Sequence, residues 1–484
     1  MKKLLSLALA LMMLLSLVSG ALADDEVTTL RILVRTGDAT KYQATIDALN
    51  DLLAASGLKV KLEWISHASS GYPDYVNGML LDSPEEEVCD LLYVQGAAIN
   101  PATLGAQDLL VDMTDMLAAS KYAKAFYDAD EVLQAQFNSC PYLIWPSHVN
   151  KVMQFRTDAL EACASYAAFQ AEPNAANYAA LFDELVAQGY EGALTVQGVD
   201  YLFDCGIDGG FGINATWLRQ EDGSYVYSRV SENFHEELKW WRERYVSGAL
   251  HKNFATDDWE TMENALYNGR VAGIAMKGAA YSAYYENGTV KNNGEAARLS
   301  ILPPMKSVSG EQLYKIPTDR FDRGWVISTT CKDPQLAFDV LDFLFSDEAR
   351  KLDLFGIKDQ DYTLNEDGTY NLLVPSDETN TYRIYDADVF GNIDVKAITT
   401  GAAYWPECAF ISADLVAQYG KVDNNFVIPE EYATSWTACE SLWKEFATQY
   451  ILGEKTDADW DAFVSTWNSY GGAQVAAYAA TVIK

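Results

Sequence analysis

The chain has 484 residues, 49% of them hydrophobic, and its 69 acidic side chains outnumber its 35 basic ones, giving a formal net charge of -34 at pH 7. This length exceeds one ordinary domain, and the apolar content suffices for the cores of two or three. A surface this acidic repels phosphate backbones and anionic lipids, which argues against nucleic acid as a partner and against peripheral membrane binding.

The N-terminus has the pattern of a Sec signal peptide. Lys2 and Lys3 precede an apolar stretch from Leu4 to Val18, and small residues follow as far as Ala21-Leu22-Ala23. This order of charged region, apolar region and A-x-A site predicts that residues 1–23 are removed on export. The alternative is an uncleaved anchor, although the apolar stretch is short for a membrane span.

Strand and helix patterns alternate over the first hundred residues. Alternating apolar side chains predict strands at 29–35, 58–64 and 90–94, and helical spacing predicts helices at 42–56 and 73–82. This order is typical of a parallel α/β sheet, whose ligands gather beyond the carboxyl ends of the strands. Those ends are residues 36–38, 65–67 and 95–97.

The rest of the chain is richer in helical patterns. Helices are predicted at 175–188, 232–247 and from 261 to Asn268-Gly269, and strands at 271–276, 298–302 and 325–328. Asp333 and Pro334 predict the N-cap and first residue of an amphipathic helix that docks on a sheet. The C-terminal part is helical again and contains Trp436, Trp443, Trp460 and Trp467.

Seven cysteines lie at wide spacings, at positions 89, 140, 163, 205, 331, 408 and 439. The sequence has no C-x-x-C pair, which excludes zinc-ribbon and thioredoxin-type sites. Two readings stay open: one or two disulfides, or scattered buried thiols.

Most patterns that carry catalysis or cofactor binding are missing from the sequence. There is no G-x-S-x-G, and Lys239 stands where a zinc-protease helix beginning at His235 would need its second histidine. The glycine-rich loop at 205–214, CGIDGGFGIN, is not a dinucleotide-binding motif. Acidic pairs such as Asp257-Asp258 are compatible with a glycosidase, but solvated acidic faces explain nearly all of them. We expect no catalytic residues, no cofactor and no metal.

Aromatic side chains in predicted loops are the remaining functional signal. Aromatic rings can take the flat C–H face of a sugar, while polar groups take its hydroxyls, so such loops favour a polyol ligand. The alternative is that the rings cap the core near turns, since Trp and Tyr combine an apolar body with a polar tip. The loop aromatics are Tyr72, Trp145, Phe211, Trp217, Tyr281, Trp325, Tyr404 and Trp405, and the polar candidates are Asp38, Gln95, Asp208, Lys277, Asp322 and Arg323.

Three blocks of sequence resemble one known family. They are FGINATWLRQEDGSYVYSRVSENFHEELKWWRERYVSGALHKNF at 211–254, GRVAGIAMKG at 269–278 with RGWVISTTCKDPQLAFDVLDFLFSDEAR at 323–350, and FATQYILGEKTDADWDAFVSTWNSYGG at 446–472. In this order and spacing they resemble the extracellular solute-binding proteins of ABC importers. The likeness is to the family-1 carbohydrate binders, and within them to the aldouronate- and complex-oligosaccharide-binding lipoprotein branch.

The resemblance implies an α/β, two-lobed periplasmic-binding-protein-like clamp of type II, each lobe a mostly parallel sheet flanked by helices. We expect lobe 1 to comprise 24–145 plus 325–395, and lobe 2 to comprise 146–324 plus 396–484. The stretch around Arg323, Gly324 and Trp325 would be a return crossing between the lobes. Such a protein binds an oligosaccharide in the cleft and presents it to the membrane subunits of an ABC permease, and we expect it to be a monomer.

The expected ligand-binding set combines the loop residues with the resemblance, which places the segment after GIAMKG near the ligand. The set is Asp38, Tyr72, Gln95, Trp145, Phe211, Trp217, Lys277, Tyr281, Asp322, Arg323, Trp325 and Trp405. The alternatives are a secreted glycoside hydrolase or lyase that uses an acidic pair, and the same clamp with a peptide or another solute.

Two features depart from the family pattern. Gram-positive members carry a lipobox cysteine, whereas Ala21 follows Leu17-Val18-Ser19-Gly20 here, so we expect a secreted or differently retained protein. Some members hold calcium in an Asp/Asn-Gly-rich loop, and the corresponding stretch at 187–196, AQGYEGALTV, lacks the oxygen ligands for it.

Overall fold

The computed structural model describes residues 27–36, 39–95, 99–144, 151–318, 323–374, 399–401 and 405–483. Its strands, in chain order, are β1 (Thr28–Arg35), β2 (Val60–His67), β3 (Leu91–Gln95), β4 (Lys151–Arg156), β5 (Gly192–Thr195), β6 (Trp217–Arg219), β7 (Tyr225–Tyr227), β8 (Val271–Lys277), β9 (Leu299–Leu302), β10 (Tyr314–Ile316), β11 (Arg323–Ile327), β12 (Tyr362–Leu364), β13 (Tyr370–Leu372), β14 (Thr399–Gly401) and β15 (Gly420–Val422).

The helices of the described residues surround these strands. They are α1 (Gln43–Ser56), α2 (Tyr72–Asp82), α3 (Pro101–Ala106), α4 (Thr114–Ala119), α5 (Ala123–Ala129), α6 (Glu131–Ser139), α7 (Thr157–Glu161), α8 (Tyr166–Ala171), α9 (Ala175–Ala187), α10 (Val199–Leu202), α11 (Glu232–Val246), α12 (Trp259–Tyr267), α13 (Ala280–Asn293), α14 (Pro334–Leu344), α15 (Asp347–Phe355), α16 (Glu407–Tyr419), α17 (Glu430–Leu452), α18 (Trp460–Trp467) and α19 (Ala473–Val482). Within the described ranges, none of the helices is long and apolar enough to span a bilayer.

The first sheet has the strand order β11-β3-β1-β2. β1 is parallel to β2 and β3, and only β11 runs antiparallel, beside β3. Leu30, Ile32 and Val34 pack on one face of the sheet, whereas Leu33 packs on the other. The parallel α/β sheet predicted for the first hundred residues is therefore confirmed, with both faces covered.

The second sheet has the order β5-β8-β4-β9 and is mixed. β5 and β8 are parallel, but β4 is antiparallel to both β8 and β9, so the expectation of a mostly parallel second sheet is wrong. The reason lies in where the chain enters it. Lys151, the first residue of β4, pairs with Lys277, the last residue of β8, so β4 begins at the edge where β8 ends.

Each sheet has its own hydrophobic core. The largest core packs Met153 and Phe155 of β4 together with α9, α11 and the C-terminal helices, including Trp443 and Trp467. A separate core lies between the first sheet and α14, whose predicted cap is confirmed because the Asp333 carboxylate accepts a hydrogen bond from Leu336 N at 3.0 Å.

The chain passes repeatedly between the two sheets. Ile144 exchanges two backbone hydrogen bonds of 2.9 Å with Trp325, so a segment leaving the first sheet lies beside the strand that returns to it. At that point Gly324 has φ +148°, and a Cβ there would lie 2.9 Å from the Ile144 carbonyl oxygen. The lobe limits at 145/146 and 395/396 lie outside the described residues, and the limit at 324/325 falls within β11. The division into lobes stays a prediction.

All seven cysteines are buried free thiols, which decides between the two readings left open by the sequence. Burial raises the pKa of Cys140 and of Cys331 to about 12, and that of Cys89 to about 11. Because the thiolate is the reactive form, these side chains are chemically inert while the fold persists.

We therefore expect a thiol reagent such as DTNB to leave the native protein unmodified and to titrate seven thiols in guanidinium chloride without reductant. Titration of fewer than seven thiols would contradict the buried-thiol assignment. So would a denatured protein whose mass without reductant is lower than its mass after reduction, by 2 Da for each disulfide.

Candidate functional site

The carboxyl edges of the two sheets meet at a cluster of four predicted site residues, which we call the junction: Gln95, Arg323, Lys277 and Tyr281. Arg323 pairs with Gln95 at the end of β3, and Tyr281 lies on α13, which follows β8. The Arg323 Nη1 donates a hydrogen bond to the Tyr281 hydroxyl at 3.2 Å. The Lys277 Nζ lies 5.4 Å from the centre of the same ring. A polar contact thus connects the two edges at which ligands of α/β sheets gather.

One further aromatic ring borders the junction, and two more rings lie at the carboxyl end of β2. The Trp259 ring contacts Tyr281 edge-on at 5.8 Å. At the carboxyl end of β2, His67 stacks on Tyr75 at 4.2 Å, and Tyr75 is 37% exposed. His67 and Tyr75 were not among the predicted site residues, although His67 falls in one of the three predicted strand ends.

A pocket of about 170 Å³ lies on the side of the second sheet and is linked to the junction through one residue. The connection runs through Lys151, the register partner of Lys277, because its Nζ binds the Asp204 carboxylate at 2.9 Å. The pocket is lined by Asp200, Asp204, Thr216, Trp217, Tyr227, Ser228, Arg229, Lys315, Pro317, Asp423, Asn425, Phe426, Ile428, Trp436, Glu440, Trp443 and Lys444.

Three stacked aromatic rings form one wall of the pocket. Trp217 lies between Phe426, at 5.6 Å and 16°, and Trp436, at 5.7 Å and 30°. Trp217 is only 1% exposed, whereas Phe426 and Trp436 are partly exposed. The outer rings of this aromatic stack are therefore the ones that a ligand can reach, and Trp217 holds them in place.

Hydrogen bonds fix the start of β6, which carries Trp217, to the segment after β15. The Asp423 carboxylate accepts from Thr216 N at 2.7 Å and from Thr216 Oγ1 at 2.6 Å. Asn424 accepts from Trp217 N and donates to Trp217 O, at 3.0 and 2.8 Å. Asn425 accepts from Thr318 N at 3.0 Å, so the same segment is bonded to the chain that leads to β11. The pocket wall is thus coupled to the crossing between the sheets.

Buried ion pairs lie beneath the aromatic stack. Arg229 Nη1 binds Asp208 at 3.1 Å and its Nη2 donates to the Phe203 carbonyl at 3.1 Å. Lys315 also binds Asp208. Asp208 and Arg229 are 3% and 5% exposed, so this floor of the pocket is both charged and dry. The hydrogen bonds and ion pairs of this buried network restrain the side chains that form it.

Glu237 extends this network into the core. Burial, followed by the nearby Asp208 carboxylate, raises the pKa of Glu237 well above its ordinary value. The Trp241 indole donates to Glu237 Oε1 at 3.2 Å. The folded state therefore favours the protonated form of Glu237. The stability that this form contributes is complete below the pKa that Glu237 has in the unfolded chain, and it is lost as pH rises through the pKa of Glu237 in the folded protein.

Glu237→Gln keeps an acceptor for Trp241 and cannot ionise. We therefore expect the free energy of unfolding of this variant, relative to that of the natural chain, to be higher at pH 8 than at pH 5. Urea unfolding at both pH values measures the difference. An advantage that stays constant or shrinks as pH rises would contradict a raised pKa for Glu237.

The remaining predicted site residues do not join the junction or the pocket. Tyr72 and Trp325 are fully buried in the first half of the fold, where the Tyr72 hydroxyl donates to Tyr93 O. Phe211 packs against Trp240 with ring centres 6.1 Å apart, and Trp405 belongs to a small core with Phe355. Asp38, Trp145, Tyr404 and Asp322 lie outside the described residues, as does the side chain of Gln95.

Sequence reasoning missed the part of the pocket contributed by the C-terminal region. Trp436 and Trp443 are seven residues apart on α17, a spacing that indicates a core-facing stripe as readily as a binding face. Phe426 and Asp423 belong to a segment without periodicity. The only available signal was the run Asp423-Asn424-Asn425, whose short polar side chains are typical of backbone-binding turns.

The arrangement provides exposed ring faces beside fixed hydrogen-bonding groups. Among the residues that the structure describes, no three His, Cys, Asp or Glu side chains gather as ligands for a metal ion. The stretch at 187–196, which the resemblance suggested as a calcium position in relatives, ends α9 and continues into the buried strand β5.

Solved structures similar to this chain over nearly its whole length establish the fold. The Streptococcus pneumoniae ABC-transporter substrate binding protein FusA, in complex with kestose, is 14% identical with a TM-score of 0.59, over 94% of this chain and 98% of that chain. An HMO-binding solute binding protein from Bifidobacterium longum infantis is 14% identical with a TM-score of 0.64, over 94% of this chain and 98% of that chain. The N-glycan transport solute binding protein NgtS from Streptococcus pneumoniae is 14% identical with a TM-score of 0.63, over 93% of this chain and 96% of that chain.

The fold is thus the α/β fold of solute-binding proteins, as expected. A search of curated protein sequences gives no significant match. The sequence model of the family described as bacterial extracellular solute-binding protein, in contrast, matches residues 48–357, which include the junction and the part of the pocket up to Lys315 and Pro317. The chain therefore belongs to the bacterial extracellular solute-binding proteins.

Proposed function

We propose that this protein captures an oligosaccharide between two hinged lobes outside the cell membrane and delivers it unaltered to an ABC permease. The observation that carries the proposal is the aromatic stack of Phe426, Trp217 and Trp436, bordered by carboxylate and amide groups and located beside the junction. Sugars need this combination of flat apolar faces and oriented polar groups. FusA and NgtS, whose structures this chain resembles, are described with kestose and as an N-glycan transport protein, which supports the same ligand class.

Binding in this proposal favours a closed arrangement of the two sheets. A ligand that reaches from the pocket to the junction contacts elements of both, and the crossing at Pro317 and Thr318 forms part of the pocket's frame. Differential contacts of this kind shift a hinge equilibrium towards the closed form. The lobes proposed for this motion are 24–145 plus 325–395, and 146–324 plus 396–484.

The proposed protein has no catalytic activity. A glycoside hydrolase needs two carboxyl groups placed on either side of one glycosidic bond, one of them as a proton donor. Of the carboxylates that line the pocket, Asp204 and Asp200 pair with lysine side chains, Glu440 accepts from the Tyr227 hydroxyl, and Asp423 accepts two hydrogen bonds from Thr216. These roles are structural, and they support binding without chemistry.

The proposed location and partners follow from the family and from the N-terminal pattern. The proposed location is outside the cell membrane, after removal of residues 1–23 on export. The membrane subunits of an ABC permease receive the closed complex, and the protein acts as a monomer.

A thermal-shift screen against oligosaccharides and peptides, followed by calorimetry, tests the proposal. We expect oligosaccharides to raise the melting temperature, because a ligand bound only by the folded state stabilises it. Chromatography of the recovered sugar should give the starting compound. If only peptides stabilise the protein, its ligand is a peptide and not an oligosaccharide. If the recovered sugar is shortened or unsaturated, the protein is an enzyme and not a binding protein.

A further inference from the structure

We infer that the oligosaccharide is uncharged, and that the site discriminates against uronate-containing sugars of the same length and linkage. The inference rests on the proposed function. It comes from the way in which each basic side chain of the pocket and the junction is already engaged by the protein itself.

The three basic side chains that line the pocket all bind carboxylates of the chain. Arg229 binds Asp208 at 3.1 Å, Lys315 binds the same carboxylate, and Lys444 binds Asp200 at 3.2 Å. The Arg229 and Lys315 side chains are 7% and 9% exposed, so neither can turn towards a ligand without breaking a buried pair. Protein sites for carboxylates use arginine in a planar, two-bond contact, and Arg229 already donates through both terminal nitrogens.

The basic residues of the junction contact Tyr281 of the same chain rather than a carboxylate. Arg323 donates to the Tyr281 hydroxyl and is 3% exposed. Lys277 lies over the ring of the same tyrosine, and its neighbour Lys151 binds Asp204. An anionic sugar entering between the sheets would have to compete with these contacts.

Acidic side chains slightly outnumber basic ones in the pocket lining. The lining side chains carry an excess of one negative charge, since four are acidic, Asp200, Asp204, Asp423 and Glu440, and three are basic, Arg229, Lys315 and Lys444. Glu440 accepts from the Tyr227 hydroxyl at 2.6 Å, and a carboxylate retains further acceptor positions. Sugar hydroxyls can donate to such acceptors, whereas a uronate carboxylate brings like charge to them and loses its hydration without a matched cation.

A matched pair of sugars isolates this effect. The best-binding oligosaccharide of the screen is converted at C6, by oxidation of its primary hydroxyls if it is neutral or by reduction of its carboxyl groups if it is a uronate, and both members are measured by calorimetry. Cellotetraose with its oxidised tetrauronate, and β-1,4-mannotetraose with β-1,4-tetramannuronate, serve as fixed pairs. We expect the neutral member to bind at least about tenfold more tightly, with the ratio falling as salt is raised.

Two variants separate charge from shape. Asp200→Asn releases Lys444 from its partner, so we expect the ratio of neutral to uronate affinity to fall. Asp461→Asn makes the same change at an exposed position on α18, outside the pocket lining, and should leave the ratio unchanged.

The outcomes are distinguishable from those of the proposed function. Equal or tighter binding of the uronate would overturn the neutral-ligand inference and leave an oligosaccharide-binding protein. Binding of no saccharide at millimolar concentration would overturn both, and a ratio insensitive to salt and to Asp200→Asn would show that the pocket's charge is not the cause.

Discussion

Replacing Trp217 by alanine is expected to lower the free energy of unfolding by about 3–5 kcal/mol, because the change removes a large, fully buried ring from the core. Trp217 contacts Phe426, Trp436 and Tyr227, with ring centres 5.3 to 5.7 Å apart. The fold should survive at low temperature and melt earlier in differential scanning calorimetry.

Trp436→Ala is the matched variant for the binding role of the aromatic stack. Its ring is partly exposed on α17, so its loss should cost less stability than that of Trp217 but weaken oligosaccharide binding about tenfold or more. Calorimetric titration of both variants separates the two effects. If Trp436→Ala binds as tightly as the natural chain, the stack is only a packing feature and the ligand is held elsewhere.

The fold was accessible from sequence wherever periodicity and burial agree. β1, β2 and β3 alternate with amphipathic helices, so period and order were enough to predict a parallel sheet. β4 was missed, since Lys151–Arg156 is buried along nearly its whole length and lacks the alternation of a half-exposed strand. Its antiparallel direction depends on where the chain crosses from one sheet to the other, and periodicity carries no information about that.

The site was predictable only in part, for a physical reason that Trp217 illustrates. A loop position and a large aromatic ring indicate a binding residue or a core residue equally well, and the decision depends on tertiary neighbours such as Phe426, more than two hundred positions away. The junction was found because the ends of adjacent parallel strands necessarily meet at one edge. Its partner across the gap, Tyr281, was predicted both as a loop aromatic and from the family resemblance.

Arg229→Met is expected to produce the second large loss, about 3–5 kcal/mol of the free energy of unfolding, since it leaves buried carboxylates with one cation fewer. Arg229 contacts Asp208 at 3.1 Å and Asp204 at 3.8 Å, and its guanidinium carbon lies 5.1 Å from the Phe203 and Phe234 ring centres. Methionine keeps the packing against these rings and removes only the charge and its hydrogen bonds. Chemical denaturation at pH 7 measures the difference.

The matched control is Arg298→Met, which removes an arginine that also has two carboxylate partners, Glu286 and Glu295, but whose side chain is 55% exposed. Glu286 is only 5% exposed, but water screens the exposed Arg298 guanidinium, so this variant should lose less stability than Arg229→Met. The double variant Arg229→Met with Asp208→Asn should lose less than the sum of the two single losses, since the unpaired charge is absent. Two results would contradict this: equal losses of stability for Arg229→Met and Arg298→Met, or strict additivity in the double variant. Either would mean that the charges beneath the pocket are solvated. The floor of the pocket would then not be the dry, rigid support on which the selection of a neutral sugar depends.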